Sequence, residues 1–238
     1  MTTYVYGIAR GAHPGLPQRA DGIGGPPRPV RVLDAGALAA LVSDAPEDLR
    51  PKRRDLLAHQ GVLAGAASAG TVLPMRFGCV AEDDDAVLAA LRDREEHHLE
   101  RLRALDGKAE FNVKAAHDED AVLHLVLAED ADLRELGRRN QEAGGGSYEE
   151  RLALGERVTA AVQQRAERDA ALVRRALEPT AVECRPGPEG TGGLANLSFL
   201  VDGEGAEALT TATETFRERH RHVVLRVTGP LPPYSFVD

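Results

Sequence analysis

Residues 194–202 read Leu-Ala-Asn-Leu-Ser-Phe-Leu-Val-Asp, and residues 222–228 read His-Val-Val-Leu-Arg-Val-Thr. Both runs are short and rich in apolar, β-branched or aromatic residues, which is typical of strands. The Ala- and Thr-containing segment 206–220 lies between them and is predicted to be a helix. A further strand at 181–185 precedes them across a Gly- and Pro-rich loop. This part of the chain is therefore predicted to run strand, strand, helix, strand.

The preceding segments extend this pattern toward the N-terminus. Residues 110–116 are predicted to form a strand, 119–139 a helix and 147–177 a longer helix. The order β, α, β, β, α, β is that of a split βαβ, ferredoxin-like fold in which 119–139 is an inserted helix. Such a fold is an antiparallel sheet with helices on one face. Its other face, with apolar residues from strands 194–201 and 223–227, is a candidate binding surface.

The N-terminal half mixes helices and strands. Residues 11–29 are crowded with Gly and Pro and predict a long loop, while 37–41 is compatible with either strand or helix. The remaining predictions are strands at 3–9, 30–33, 38–43 and 71–75 and helices at 53–69 and 82–105. We therefore predict an α+β fold with two domains. Residues 1–108 would form an N-terminal mixed α+β domain, and 109–238 a C-terminal modified ferredoxin-like domain with a helical insertion at 119–139.

Net charge, cysteine content and hydropathy limit the partners and the compartment of the protein. The chain of 238 residues carries 29 Lys and Arg against 38 Asp and Glu, a net charge of -9. Sequence-independent binding of nucleic acid needs a clustered excess of positive charge, so nucleic acid is not a predicted partner. Cys79 and Cys184 are too few for a disulfide framework and indicate a reducing compartment. Since the sequence shows no signal peptide and no membrane-spanning run, we predict a cytoplasmic protein without membrane association.

The eight histidines do not have the spacing of a metal site. Two ligands on one helix face lie three or four residues apart, whereas His97 and His98 are adjacent and point to different faces. His220 and His222 lie at a predicted junction of helix and strand, where exposed polar side chains are ordinary. We therefore predict no metal-binding residue.

Motifs of catalysis and cofactor binding are also missing from the sequence. The glycine-rich stretches 22–25 and 190–193 match neither a dinucleotide fingerprint nor a phosphate-binding loop, and both predict loops. We predict no catalytic residue, no cofactor and no enzymatic activity. Two alternatives remain open. One is a ferredoxin-like enzyme, which would need a His or carboxylate pair on one sheet face; the other is a small-molecule-sensing domain.

Two segments are unusual enough to suggest partner binding. Residues 72–78, Val-Leu-Pro-Met-Arg-Phe-Gly, end a predicted strand with an arginine beside an aromatic residue. That arginine is either paired locally or functional. Residues 229–238, Gly-Pro-Leu-Pro-Pro-Tyr-Ser-Phe-Val-Asp, predict an extended tail that docks on the protein's own core or on a partner. The candidate partner-binding residues are Arg76, Phe77, Pro232, Pro233, Tyr234 and Phe236.

These two segments resemble the signatures of the gas vesicle protein F/L family (GvpF/GvpL). So do Tyr-Val-Tyr-Gly-Ile at 4–8, Leu-Val-Ser at 41–43 and Glu-Phe-Asn-Val-Lys at 110–114, in the same order. The Gly- and Pro-rich insertion at 11–29 departs from the family, and the sequence does not choose between the F and L branches.

The resemblance implies an accessory protein of gas vesicle assembly without a cofactor. It also implies association with the small hydrophobic shell protein and with other gas vesicle accessory proteins, in the cytoplasm and at the gas vesicle. On this basis we expect a non-enzymatic factor that binds the shell protein and aids its delivery or the growth of the shell.

Overall fold

A computed structural model describes residues 1–14, 20–187 and 193–238. It contains helices and two antiparallel sheets, which confirms the predicted α+β class. The chain divides into two compact units, one of Met1–Glu110 with Gly229–Asp238 and the other of Phe111–Thr228. The C-terminal segment thus groups with the first unit, whereas the sequence-based boundaries assign it to the second. Within the described ranges, no helix has both the length and the apolar character required to cross a membrane.

The first unit largely follows the predicted order of elements. The helical alternative for 37–41 is wrong, because these residues enter a strand. The predicted helix 82–105 is two helices, since the backbone of Arg94 (φ -118°, ψ 24°) leaves the helical conformation. The elements are β1 (Thr3–Arg10), β2 (Arg31–Asp34), β3 (Leu38–Asp44), α1 (Arg53–Ala67), β4 (Val72–Pro74), β5 (Val80–Ala81), α2 (Asp84–Asp93) and α3 (Glu95–Ala104). The short strand β5 had no sequence signal.

Strand β1 is the centre of the first sheet, whose order is β2-β3-β1-β4, with β5 also paired to β1. It runs antiparallel to β3, from Thr3 opposite Asp44 to Arg10 opposite Leu38. Residues 3–9 are all buried, and successive side chains of a strand point to opposite faces. Both faces of this sheet are therefore covered at its centre, where α1 and α3 pack against β1 and β4.

The elements that follow are β6 (Ala109–His117), α4 (Glu119–Glu129), α5 (Ala131–Glu142), α6 (Tyr148–Leu177), β7 (Glu183–Pro186), β8 (Ala195–Val201), α7 (Gly203–Arg219) and β9 (Val223–Leu231). The long helix is confirmed, and a capping box of Ser147 and Glu150 fixes its start. The predicted helix 119–139 is two helices, because the side chain of Asp130 caps a new one. The predicted loop at 190–193 lies outside the described residues, except for Gly193.

The second sheet has the order β7-β8-β6-β9, and α6 and α7 cover one of its faces. The core between the sheet and these helices is built from aliphatic residues and two phenylalanines, in agreement with the low aromatic content. Its buried members include Val113, Val173, Leu177, Phe199, Val201, Leu209, Phe216, Val223 and Leu225. Burial of this apolar surface is the main force that holds the helices on the sheet.

The outer face of the second sheet is not the broadly apolar surface that the sequence suggested. Alternate side chains point outward, and among them Lys114, Val224 and Arg226 are exposed. At β8, one of the two central strands, the outward residues Ser198 and Leu200 are buried. Most apolar residues of strands 194–201 and 223–227 are used in the core, so the exposed part of this face is mixed and partly cationic.

Candidate functional site

The C-terminal tail, Gly229–Asp238, docks within the first unit. The side chain of Phe236 is completely buried, and Pro233 is buried as well. Tyr234 is half-buried against the cluster that contains Tyr4 and Tyr6. Of the two alternatives that the sequence left open for the tail, the structure therefore shows docking on the protein's own core.

A buried carboxylate holds this tail. Glu110 is 1% exposed; its Oε2 accepts a hydrogen bond from the backbone N–H of Ser235 (2.7 Å) and its Oε1 one from the Ser235 hydroxyl (2.8 Å). The guanidinium of Arg101 donates to the carbonyl of Phe236. Burial, with a smaller contribution from the charge of Glu110, raises the pKa of Tyr234 to about 12. The tail is thus fixed by both polar and apolar contacts.

Substitution of Glu110 by glutamine should loosen the tail. The amide can accept with one oxygen only, so one of the two hydrogen bonds from Ser235 to the charged carboxylate is lost, at a cost of about 1–3 kcal/mol. We expect faster hydrogen exchange at the amides of residues 229–238. Glu47→Gln, at an exposed position of the same unit, is the matched control. Identical exchange in the two variants would contradict the role of Glu110.

An apolar groove of about 510 Å³ runs beside the docked tail. Its polar rim includes Asp106, which accepts a hydrogen bond from the Thr71 hydroxyl at 2.6 Å. The apolar lining comes from the C-terminal part of α1, from β4 and from the proline-rich start of the tail: Ala64, Ala67, Val72, Pro230, Leu231, Pro232 and Pro233. Docking of the tail therefore forms one wall of a concave apolar surface.

The Met75–Cys79 loop is anchored by aromatic residues. Phe77 is half-buried, with its ring edge-on to those of Tyr4 and His59 at 5.8 Å from each. His59 Nε2 lies 3.1 Å from the carbonyl of Met75 and Nδ1 lies 2.9 Å from the Tyr4 hydroxyl. The neutral tautomer satisfies both contacts, since Nε2–H donates and Nδ1 accepts. Burial lowers the pKa of His59, which favours this neutral form.

Arg76 projects from this anchored loop. Its side chain is exposed, and within the part of the chain that the structure describes it forms no ion pair or side-chain hydrogen bond. The next residues turn through Gly78, whose φ of +95° is readily adopted only by glycine. The predicted alternative of a locally paired arginine is therefore not what these residues show, and the guanidinium is available to a partner.

A cluster of titratable side chains in the second unit was missed by the sequence analysis. His117 Nε2 and His222 Nε2 each lie 2.9 Å from Oδ2 of Asp169. Arg165 Nε lies 3.1 and 3.0 Å from the two oxygens of that carboxylate and Nη1 lies 2.7 Å from Glu129. His222 was predicted to be an ordinary exposed residue, yet its side chain is only 11% exposed.

This cluster is organised around a buried anion. Asp169 is fully buried, which by itself would raise its pKa, but hydrogen bonds from Arg165 and then His117 outweigh this and the pKa is lowered. The adjacent cavity of about 360 Å³ is lined by Glu129 and Arg165 but by neither imidazole. Across residues 1–14, 20–187 and 193–238, no group of three or more His, Cys, Asp or Glu side chains is arranged to hold a metal. The cluster therefore ties α6 to the ends of β6 and β9.

Comparison with known proteins places these features in a family. The sequence profile described as "Gas vesicle synthesis protein GvpL/GvpF" matches residues 2–238. Gas vesicle protein F of Streptomyces sp. (strain CB03234) is 63% identical over 238 residues and 100% of both chains. Gas vesicle protein L of the same strain is 30% identical over 254 residues, which cover 98% of this chain and 91% of that one.

A solved structure shares the fold. The crystal structure of the gas vesicle protein GvpF from Anabaena sp. PCC7120 superposes with a TM-score of 0.79 at 24% identity, covering 100% of this chain and 98% of that one. Together with the profile match over nearly the whole chain, this confirms the resemblance seen in the sequence motifs. The chain belongs to the gas vesicle synthesis protein GvpL/GvpF family.

Proposed function

We propose that this protein is a non-enzymatic accessory factor of gas vesicle assembly that binds the small hydrophobic shell protein and aids its delivery or the growth of the shell. The observation that carries the proposal is the match of residues 2–238 to a family of gas vesicle synthesis proteins. The sheet order β7-β8-β6-β9 supports a modified ferredoxin-like second domain, since a split βαβ unit inserts one strand between two others.

The groove beside the tail is the surface that we propose for the shell protein. Its lining by alanine, valine, leucine and proline suits an apolar segment, and burial of apolar area contributes about 25 cal/mol per Å² before the costs of association. The net charge of -9 helps to keep such a complex soluble. Arg76, exposed in the same unit, would supply a separate polar contact to the partner.

Introduction of a carboxylate into this groove should abolish most of the binding. Ala64 is exposed on α1 and lines the groove, so Ala64→Glu leaves the helix intact but forces a charge into an apolar contact. We expect the amount of shell protein that co-purifies from a detergent-free lysate to fall at least about tenfold, the equivalent of about 1.4 kcal/mol.

The matched control is Gln60→Glu, which adds the same charge one helical turn earlier and outside the groove. Arg76→Glu tests the loop separately. Failure of the wild-type protein to retain the shell protein at low salt would refute the proposed function. Equal retention by Ala64→Glu and Gln60→Glu would refute the groove as its site.

The same proposal includes location and further partners. We place the protein in the cytoplasm and at the gas vesicle, in contact with other gas vesicle accessory proteins. Fractionation of cells that form gas vesicles, followed by crosslinking of the co-expressed proteins, would identify these contacts directly.

A further inference from the structure

A second groove lies between α6 and α7 in the second unit and has a volume of about 340 Å³. Phe216, which is 4% exposed, and Leu172 contribute its large apolar side chains. Ala176 on α6 and Ala212 on α7 are small residues within the same lining. Small side chains let another element approach the two helices closely. Thr215 also lines the groove, whose floor is therefore mainly, but not entirely, apolar.

Two arginines flank this floor. Arg175 on α6 and Arg219 on α7 are both exposed, and neither forms an ion pair or a side-chain hydrogen bond with any residue that the structure describes. The preceding residue, Arg174, is by contrast paired with Glu178 at 3.1 Å. The lining of the groove contains no carboxylate, although acidic residues outnumber basic ones in the chain. The charge of the groove is therefore opposite to that of the protein.

The remaining titratable residue of the lining adds little positive charge at neutral pH. The ring of His220 packs against that of Phe216 in a tilted arrangement, with a centroid distance of 4.4 Å and an interplanar angle of 33°. Burial, and then the neighbouring His222, lowers the pKa of His220. The imidazole therefore extends the apolar and aromatic surface, and the two guanidinium groups provide the charge.

We infer that this groove binds an amphipathic helix of a partner protein whose apolar stripe is flanked by acidic residues. A partner helix that lies between α6 and α7 presents its side chains at i, i+3, i+4 and i+7 to the apolar floor. The guanidinium groups of Arg175 and Arg219 can then pair with carboxylates on either side of that apolar stripe. The lining residues all belong to the second unit, and none of them lines the groove proposed for the shell protein, so we assign this groove to a further partner.

Labelled synthetic helices test the inference with the full-length protein. Two peptides of about 18 residues, long enough to be helical, share leucines at i, i+3, i+4 and i+7. One carries glutamates beside the stripe and the other lysines. Fluorescence anisotropy should show saturable binding of the glutamate peptide, weakened by salt. Arg175→Glu/Arg219→Glu should weaken it at least about tenfold, because two pairs become repulsive contacts.

The control variant makes the same change of charge elsewhere. Arg134→Glu/Arg157→Glu alters exposed arginines that do not line the groove, and its affinity should match that of the wild type. Ala176→Glu, at an exposed floor position, should lower the affinity without loss of helicity by circular dichroism.

Several results would overturn the inference. These are the absence of saturable binding, equal binding of the lysine peptide, and an equal loss in the control variant. Sedimentation of the protein alone gives a further one. If the protein self-associates, and Arg175→Glu/Arg219→Glu abolishes the self-association while Arg134→Glu/Arg157→Glu does not, a second copy of the chain occupies the groove. Since none of these readouts involves the shell protein, they are independent of the proposed function.

Discussion

Replacement of Phe236 by alanine is expected to destabilise the first unit by about 3–5 kcal/mol, the usual cost of removing a buried phenylalanine ring. The ring is completely buried, and it lies next to Ser235, whose two hydrogen bonds to Glu110 depend on the tail being in place. Its loss should therefore both create a cavity and loosen the tail. Hydrogen exchange at the amides of β1, the central strand of this unit, measures the change in local stability.

Asp238→Ala is the control for this variant, because Asp238 is exposed and two residues further along the tail. It should change the free energy of opening, measured by hydrogen exchange at the β1 amides, by less than about 0.5 kcal/mol. If Phe236→Ala lowers the stability measured at β1 by less than about 1 kcal/mol, the first unit does not depend on the docked tail.

Replacement of Asp169 by alanine is expected to have an effect of similar size on the second unit. It leaves Arg165, 15% exposed, without its main partner and removes the acceptor of His117 and His222. Loss of one partner from a buried charge pair costs about 3–5 kcal/mol. Hydrogen exchange at the amides of β6 and β9 should report this loss, while Glu167→Ala, an exposed position on the same helix, should leave exchange unchanged.

The dependence on pH distinguishes the charge of Asp169 from its packing. The pKa of Asp169 is lowered in the folded protein, so its contribution to stability is fully present above the ordinary aspartate pKa of about 3.9. The contribution is lost as the pH falls through the folded value below that. Asp169→Asn, which keeps the size, should therefore flatten the acid limb of the stability curve. An unchanged acid limb would show that the carboxylate charge contributes nothing.

Local signals in the sequence predicted most of the elements. Strand-like runs and the glycine and proline residues between them gave most of the β strands, and helical periodicity over 147–177 gave the long helix α6. The interruptions at Arg94 and Asp130 were missed because helical periodicity continues across both positions and each break depends on a single residue. The family followed from motifs spread along the chain, which no local rule of secondary structure would supply.

Contacts between distant residues were beyond the reach of such signals. Asp169 is separated by 52 and 53 residues from the two histidines that it joins, and no spacing rule connects them. Glu110 and Ser235 are 125 residues apart, so the sequence could predict an apolar tail but not its receptor. The apolar, β-branched and aromatic residues of 194–201 and 223–227 identified strands, but they did not reveal that most of these apolar side chains would be buried in the core of the second unit.

The first unit is formed by two segments that lie far apart in the sequence, and this affects how it can fold during synthesis. This unit comprises Met1–Glu110 and Gly229–Asp238, so the residues that complete it are translated only after the whole second unit, Phe111–Thr228. Chains usually fold from the N-terminus as they are made, yet here the segment translated first must wait, with the receptor for Phe236 unfilled, until residues 229–238 have been translated. A nascent or prematurely terminated chain therefore exposes apolar surface that the finished protein covers, and such chains are natural substrates for chaperones and proteases.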